Sequence, residues 1–154
     1  MRVYSIIHHK LFAVDQVFLN KLQIINWLAI IHNLISSDEG WKFTLAQAVI
    51  AILRYQLFLF LVRKYPHTRM VPSQEIDAVL HAHIATNQQY EEECKYLFGF
   101  SLVHSPGLGT RGEADQREWL LAFAQTREVF EHNFGQGAMG HSSAACCEVL
   151  LAST

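Results

Sequence analysis

The chain has 154 residues, enough for one domain with a real core, since a chain of this size buries roughly 70% of its unfolded surface. Hydrophobic residues make up 51% of it, which excludes a disordered chain. Lys+Arg 12 against Asp+Glu 14 gives a net charge of -2, so no cationic excess is present to neutralise phosphates, and nucleic acid is not an expected partner.

Three cysteines, Cys94, Cys146 and Cys147, form no disulfide framework, and their odd number suits a reducing, cytoplasmic compartment. Met1 to Val14 is interrupted by His8, His9 and Lys10 and is followed by no small-residue cleavage site, so it is not read as a signal peptide.

Val14 to Ile35 reads as one or two helices, because Phe18, Leu22, Ile25 and Ala29 recur at helical spacing. Ser36 to Gly40 breaks the pattern and reads as a loop. Thr44 followed by Gln47 has the spacing of a capping box, and the helix it opens should run to about Lys64, with Arg63 and Lys64 at the negative end of its dipole and Pro66 beyond. This segment is apolar nearly all round and almost long enough for a membrane span. Arg54 lies inside it, however, and an arginine near a span's centre costs about 3 kcal/mol. A central core helix is expected instead, with no membrane partner.

Pro72-Ser73 opens the next helix, with Ser73 as N-cap and Glu75 and Asp77 in its first turn. The apolar face predicts one helix from Ser73 to Phe98, stopped by Gly99. Gly99 to Gly112 then reads as one long Gly/Pro loop carrying His104, of a length often given to function. Glu113 to Phe134 reads as a last long helix lined by Trp119, Phe123, Phe130 and Phe134 and ended by Gly135. The expected fold is all-α: a compact bundle of about four to five helices in a single domain over 1–135. Residues 136–154 are expected to form a weakly ordered tail with a short helix from about Ser143 to Leu151. Leu53, Leu57 and Phe123 are expected in the core.

Between Asp77 and His104 the chain concentrates metal-ligand residue types: Asp77, His81, His83, Cys94 and His104. Helix geometry sorts them. His81 and His83 diverge by about 160° on a helix, and His83 and Cys94 would be about 16 Å apart along it. Neither pair holds one ion. Asp77 and His81 are neighbours at i and i+4 and fit as two ligands, with His104 as a third for zinc or iron. The bland readings are an ordinary surface pair for Asp77 and His81, a satisfied core histidine for His83, and packing for Tyr90 and Cys94. Cys146-Cys147 reads as two small residues of the tail, since adjacent cysteines bridge only with strain. No nucleophile elbow and no phosphate-cradling glycine loop is present.

The segment Val71-Pro72-Ser73-Gln74-Glu75-Ile76-Asp77-Ala78-Val79-Leu80-His81-Ala82-His83-Ile84 resembles the signature of the glycine-rich domain protein-like family, in its short bacterial and cyanobacterial form. The resemblance continues through Thr86, Tyr90, Cys94, Phe98-Gly99, His104, Pro106 and Arg111-Gly112-Glu113, and spans roughly Leu22 to Gly135. Leu80 stands where many relatives have tryptophan, Ser105 where a second histidine often follows the first, and the glycine-rich tail is absent. The resemblance assigns no role to any of these residues. The first expectation for function is a small helical binding or interaction module for a protein or small-molecule ligand. The alternative is a small metal-dependent enzyme or metal-binding protein using Asp77, His81 and His104.

Overall fold

In the computed structural model, which describes residues 13–38 and 42–151, side-chain caps open three of the helices. Residues 1–12, most of the Met1–Val14 stretch, lie outside the described residues, as do Glu39 and Gly40 of the expected loop. Helix α1 (Ala13–Lys21) runs into a short 3-10 turn (Leu22–Ile24). Asn26 then caps α2 (Trp27–Ser36), its side chain accepting from the Ala29 amide at 3.1 Å.

Helix α3 (Leu45–Lys64) starts at a complete capping box. The Gln47 amide donates to Thr44 Oγ1 at 3.2 Å, and the Thr44 amide donates to Gln47 Oε1 at 2.9 Å. Ten of its residues are buried, among them Tyr55, Phe58 and Leu61. By length and composition this helix alone among the described residues would suffice to cross a membrane. Here it lies against α2, α4 and the last helix, and Arg54 within it pairs with Glu75 at 2.9 Å. Leu57 is buried as expected, whereas Leu53 and Phe123 are only half-buried.

The single helix expected from Ser73 to Phe98 is two. Ser73 caps α4 (Gln74–Thr86), accepting from the Ile76 amide at 3.2 Å, and α5 covers Tyr90–Phe98. Between them Asn87 is extended, and its side chain accepts from Thr86 Oγ1 while donating to Glu93. Such local side-chain bonds offer the backbone an alternative to the helical ladder, which the apolar periodicity does not register.

The Gly99–Gly112 connection and the C-terminal segment correct the all-α expectation. Leu102–Pro106 forms β1 and Cys147–Leu151 forms β2, paired antiparallel with His104 opposite Val149 and Pro106 opposite Cys147. The molecule is helix-dominated with one two-stranded sheet. Where a short helix was expected from about Ser143 to Leu151, Cys147, Val149 and Leu151 turn inward and Glu148 and Leu150 outward, the period-two pattern of a half-buried strand. Met139, Val149 and Leu151 join the same core as α3.

Helix α6 (Glu113–Phe134) follows β1 after a tight glycine loop. Asp115 accepts from the amides of Gly109 and Arg111 at 2.8 and 3.1 Å, and Trp119 Nε1 donates to the Ala145 carbonyl at 2.7 Å. The Trp119 ring lies on Gly109, where a Cβ would come within 2.6 Å of it.

Leu61 lies in the last turn of α3 with no exposed surface, and Leu28 on α2 is 78% exposed. Leu61→Ala should cost about 2–5 kcal/mol of unfolding free energy. Leu28→Ala should stay within about 0.5 kcal/mol. Urea denaturation of both variants measures the contrast.

Candidate metal centre

Asp77 occupies the first turn of α4, and His81 follows it one turn later on the same edge. Across from that edge stands the sheet. Alternation along β1 turns His104 to the same face as Cys147 and Val149 of β2, because directly paired residues project together and successive ones alternate. The helix edge and the sheet face meet at the Asp77 carboxylate.

Each carboxylate oxygen has a histidine of its own. His81 Nε2 lies 3.4 Å from Oδ2, and His104 Nε2 lies 3.3 Å from Oδ1. The two imidazoles stand nearly perpendicular, with centroids 5.1 Å apart. Neither contact is a well-formed hydrogen bond. His104 Nε2 is buried and has no hydrogen-bond partner, although its neighbour is a carboxylate oxygen. One donor atom from each of Asp77, His81 and His104 lies within 4.8 Å of the other two. A tetrahedral ion with bonds of 2.0–2.1 Å sets its ligand atoms about 3.4 Å apart, a spacing that the two histidine–carboxylate contacts match, each through a different oxygen. A Cys147 Sγ contact completes the surroundings, donating to Asp77 Oδ1 at 3.3 Å.

Burial works against ionisation of Asp77, but His104, His81 and the Cys147 thiol together outweigh it and hold its pKa below 3.8. The thiol experiences the opposite: burial and the adjacent Asp77 carboxylate push its pKa far up, so Cys147 is a protonated donor here. His81 is the open side of the group, with 63% of its side chain exposed against 22% for Asp77 and 16% for His104. A pocket of about 560 Å³ adjoins Asp77 and His81 between α2 and α4, walled by Asn33, Gln74 and the small side chains Ala78, Ala82 and Ala85.

His83 belongs elsewhere, as the helical divergence from His81 requires. It is 1% exposed and fully engaged: Nδ1 shares a 2.8 Å bond with the Tyr55 hydroxyl, and Nε2 sits 2.8 Å from Glu93 Oε2. The break at Asn87 allows this. Ten residues of continuous helix would set His83 and Glu93 about 15 Å apart. Cys94 packs in the core, where burial pushes its thiol up to about 11.

The sequence placed His104 in a loop and Cys147 in a tail, and both are strand residues. The alternation of Cys147, Val149 and Leu151 is the signal that would have revealed β2. Glu93 and Tyr55 as partners of His83 carried no local signal.

Comparison with family models, with curated proteins and with solved structures finds no match for this chain.

Burial lowers the His83 pKa below 6.5, and the Glu93 carboxylate only partly restores it. The unfolded chain therefore takes up a proton near pH 6.5 that the folded chain refuses, so this part of the stability is complete above pH 6.5 and falls as the pH drops below it. Between about pH 7.5 and about pH 5.5 the denaturation midpoint should fall, and His83→Gln should flatten that slope. Parallel urea titrations at the two pH values test it.

Proposed function

We propose that the chain is a small metal-binding protein whose site is Asp77, His81 and His104. The observation that carries this reading is the buried His104 Nε2, which has no hydrogen bond yet lies 3.3 Å from a carboxylate oxygen that a second histidine flanks. Two imidazoles and a carboxylate suit zinc or ferrous iron and do not suit magnesium or calcium, which favour oxygen ligands. An ion held there replaces two long imidazole contacts with coordinate bonds and neutralises a half-buried carboxylate.

The reading supplies a structural consequence as well as a chemical one. Asp77 and His81 lie on a helix and His104 on a strand, so the ion ties α4 to the sheet and its binding energy adds to folding. The triad leaves further coordination positions for water or another donor. Membership of the glycine-rich domain protein-like family, from the Val71–Ile84 segment, belongs to the same proposal, but metal binding stands without it. An interaction module lacking metal, the first expectation, differs in one measurable way: it retains no ion.

Elemental analysis of the purified chain should find zinc or iron at one ion per chain. Added metal at 100 times its dissociation constant should stabilise the fold by about 2.7 kcal/mol. Asp77→Asn, His81→Ala and His104→Ala should lose both effects, while His83→Ala destabilises yet still binds. A folded wild-type chain that neither retains nor is stabilised by zinc or iron refutes the proposal.

A further inference from the structure

We propose that Cys147 is the fourth protein ligand, which makes the centre an Asp-His-His-Cys site for a borderline-soft divalent cation of the zinc class. This rests on the metal-binding reading above and narrows it from zinc or iron to zinc.

Three observations converge on this residue. Cys147 Sγ and His104 Nε2 both lie 3.3 Å from the same oxygen, Asp77 Oδ1. The sheet register explains why: Cys147 pairs with Pro106 and His104 with Val149, so Cys147 and His104 are diagonal neighbours on the face turned to α4. Cys147 is also 3% exposed, so its sulfur is held against the Asp77 carboxylate and away from solvent oxidants.

The adjacent cysteine provides an internal contrast. Cys146 is exposed and borders the pocket, on the other side of the strand's alternation. The vicinal pair is therefore not a dithiol that grips an ion together. One sulfur contacts the Asp77 carboxylate that His81 and His104 flank, and its neighbour is exposed.

Coordination replaces the thiol's contact with Asp77. The S–H bond breaks, the proton leaves to solvent, and the sulfur lone pair forms the bond to the cation, with no change of oxidation state. Thiolate donors select zinc over magnesium and calcium, and four protein ligands close the tetrahedron as in sites that hold structure together. The cation then joins residues 77 and 81 of the helix, residue 104 of β1 and residue 147 of β2. It clamps both strands onto α4.

Cobalt(II) is the probe, since it takes zinc sites and reports its ligands by absorption. The full chain titrated with Co²⁺ should develop a thiolate-to-cobalt charge-transfer band in the near ultraviolet together with intense tetrahedral d–d bands, saturating at one ion per chain. Cys147→Ser should lose the charge-transfer band and bind Zn²⁺ roughly 100-fold more weakly or worse, given that loss of even an outer-shell partner costs about 10–100-fold. Cys146→Ser should keep both. If wild-type chain binds Co²⁺ stoichiometrically without a charge-transfer band, or if Cys146→Ser and not Cys147→Ser removes the band, Cys147 is not a ligand while the three-residue site survives. If no Co²⁺ or Zn²⁺ binds, this inference fails, and if Fe²⁺ does not bind either, the metal-binding reading fails with it. The wild-type spectrum decides the matter even if Cys147→Ser does not fold.

Discussion

The segment from Ser143 to Leu151 takes backbone hydrogen bonds on two sides, and the site exists because it does. On one side it meets the stretch leading into α4: Met70 and Val149 exchange bonds at 3.3 and 2.8 Å, the Ala145 amide donates to Pro72 O at 2.9 Å, and the Gln74 amide donates to Ser143 O at 2.7 Å. On the other it is the partner of β1, with the Gly107 amide donating to Cys146 O at 2.7 Å. A β-ladder has side chains of period two, so a slip of one residue would turn Cys147 and Val149 away from the core. These bonds also hold the first turn of α4 beside the sheet. Asp77 reaches His104 and Cys147 because one strand is pinned between them.

Charge is managed by the same geometry. Asp77 is the acidic centre of a group that otherwise consists of neutral or weakly basic donors, and its carboxylate stays ionised in spite of burial because His104, His81 and Cys147 all favour the anion. Glu75, one turn-edge away, is taken up by Arg54, whose guanidinium also donates to Ala138 O at 3.3 Å. Two acidic residues at the start of α4 thus have separate partners. Arg54 is the same residue that makes α3 a poor membrane span. Its pairing within the fold explains how an otherwise apolar helix accommodates it.

What could be read from the residues divides along a line of sequence distance. The Thr44–Gln47 box, the Ser73 cap, the Gly135 stop and the i, i+4 relation of Asp77 to His81 are contacts within four residues, and each leaves a mark in the residue types. The divergence of His81 and His83 follows from helix geometry alone, and the satisfied core histidine it implies is observed. The strands are different. Five residues each, separated by a full long helix, they stabilise one another only after the chain has closed on itself. Nothing near Leu102 announces Leu151. The same holds for the break at Asn87, which the continuing apolar face overrides in a reading by periodicity, and for the Tyr55–His83–Glu93 contacts that depend on it.

The contact of Trp119 with Gly109 reaches further than the loop it closes. Gly109 has φ +87, and a Cβ there would fall inside the van der Waals shell of the indole. Even alanine is therefore opposed twice, by backbone conformation and by contact. The indole cannot yield without moving Nε1 from the Ala145 carbonyl, two residues before Cys147. Through neutral drift this position should admit almost nothing but glycine, although it touches neither Asp77 nor either histidine. A glycine that tolerates no replacement would then be the evolutionary shadow of a strand that must not shift.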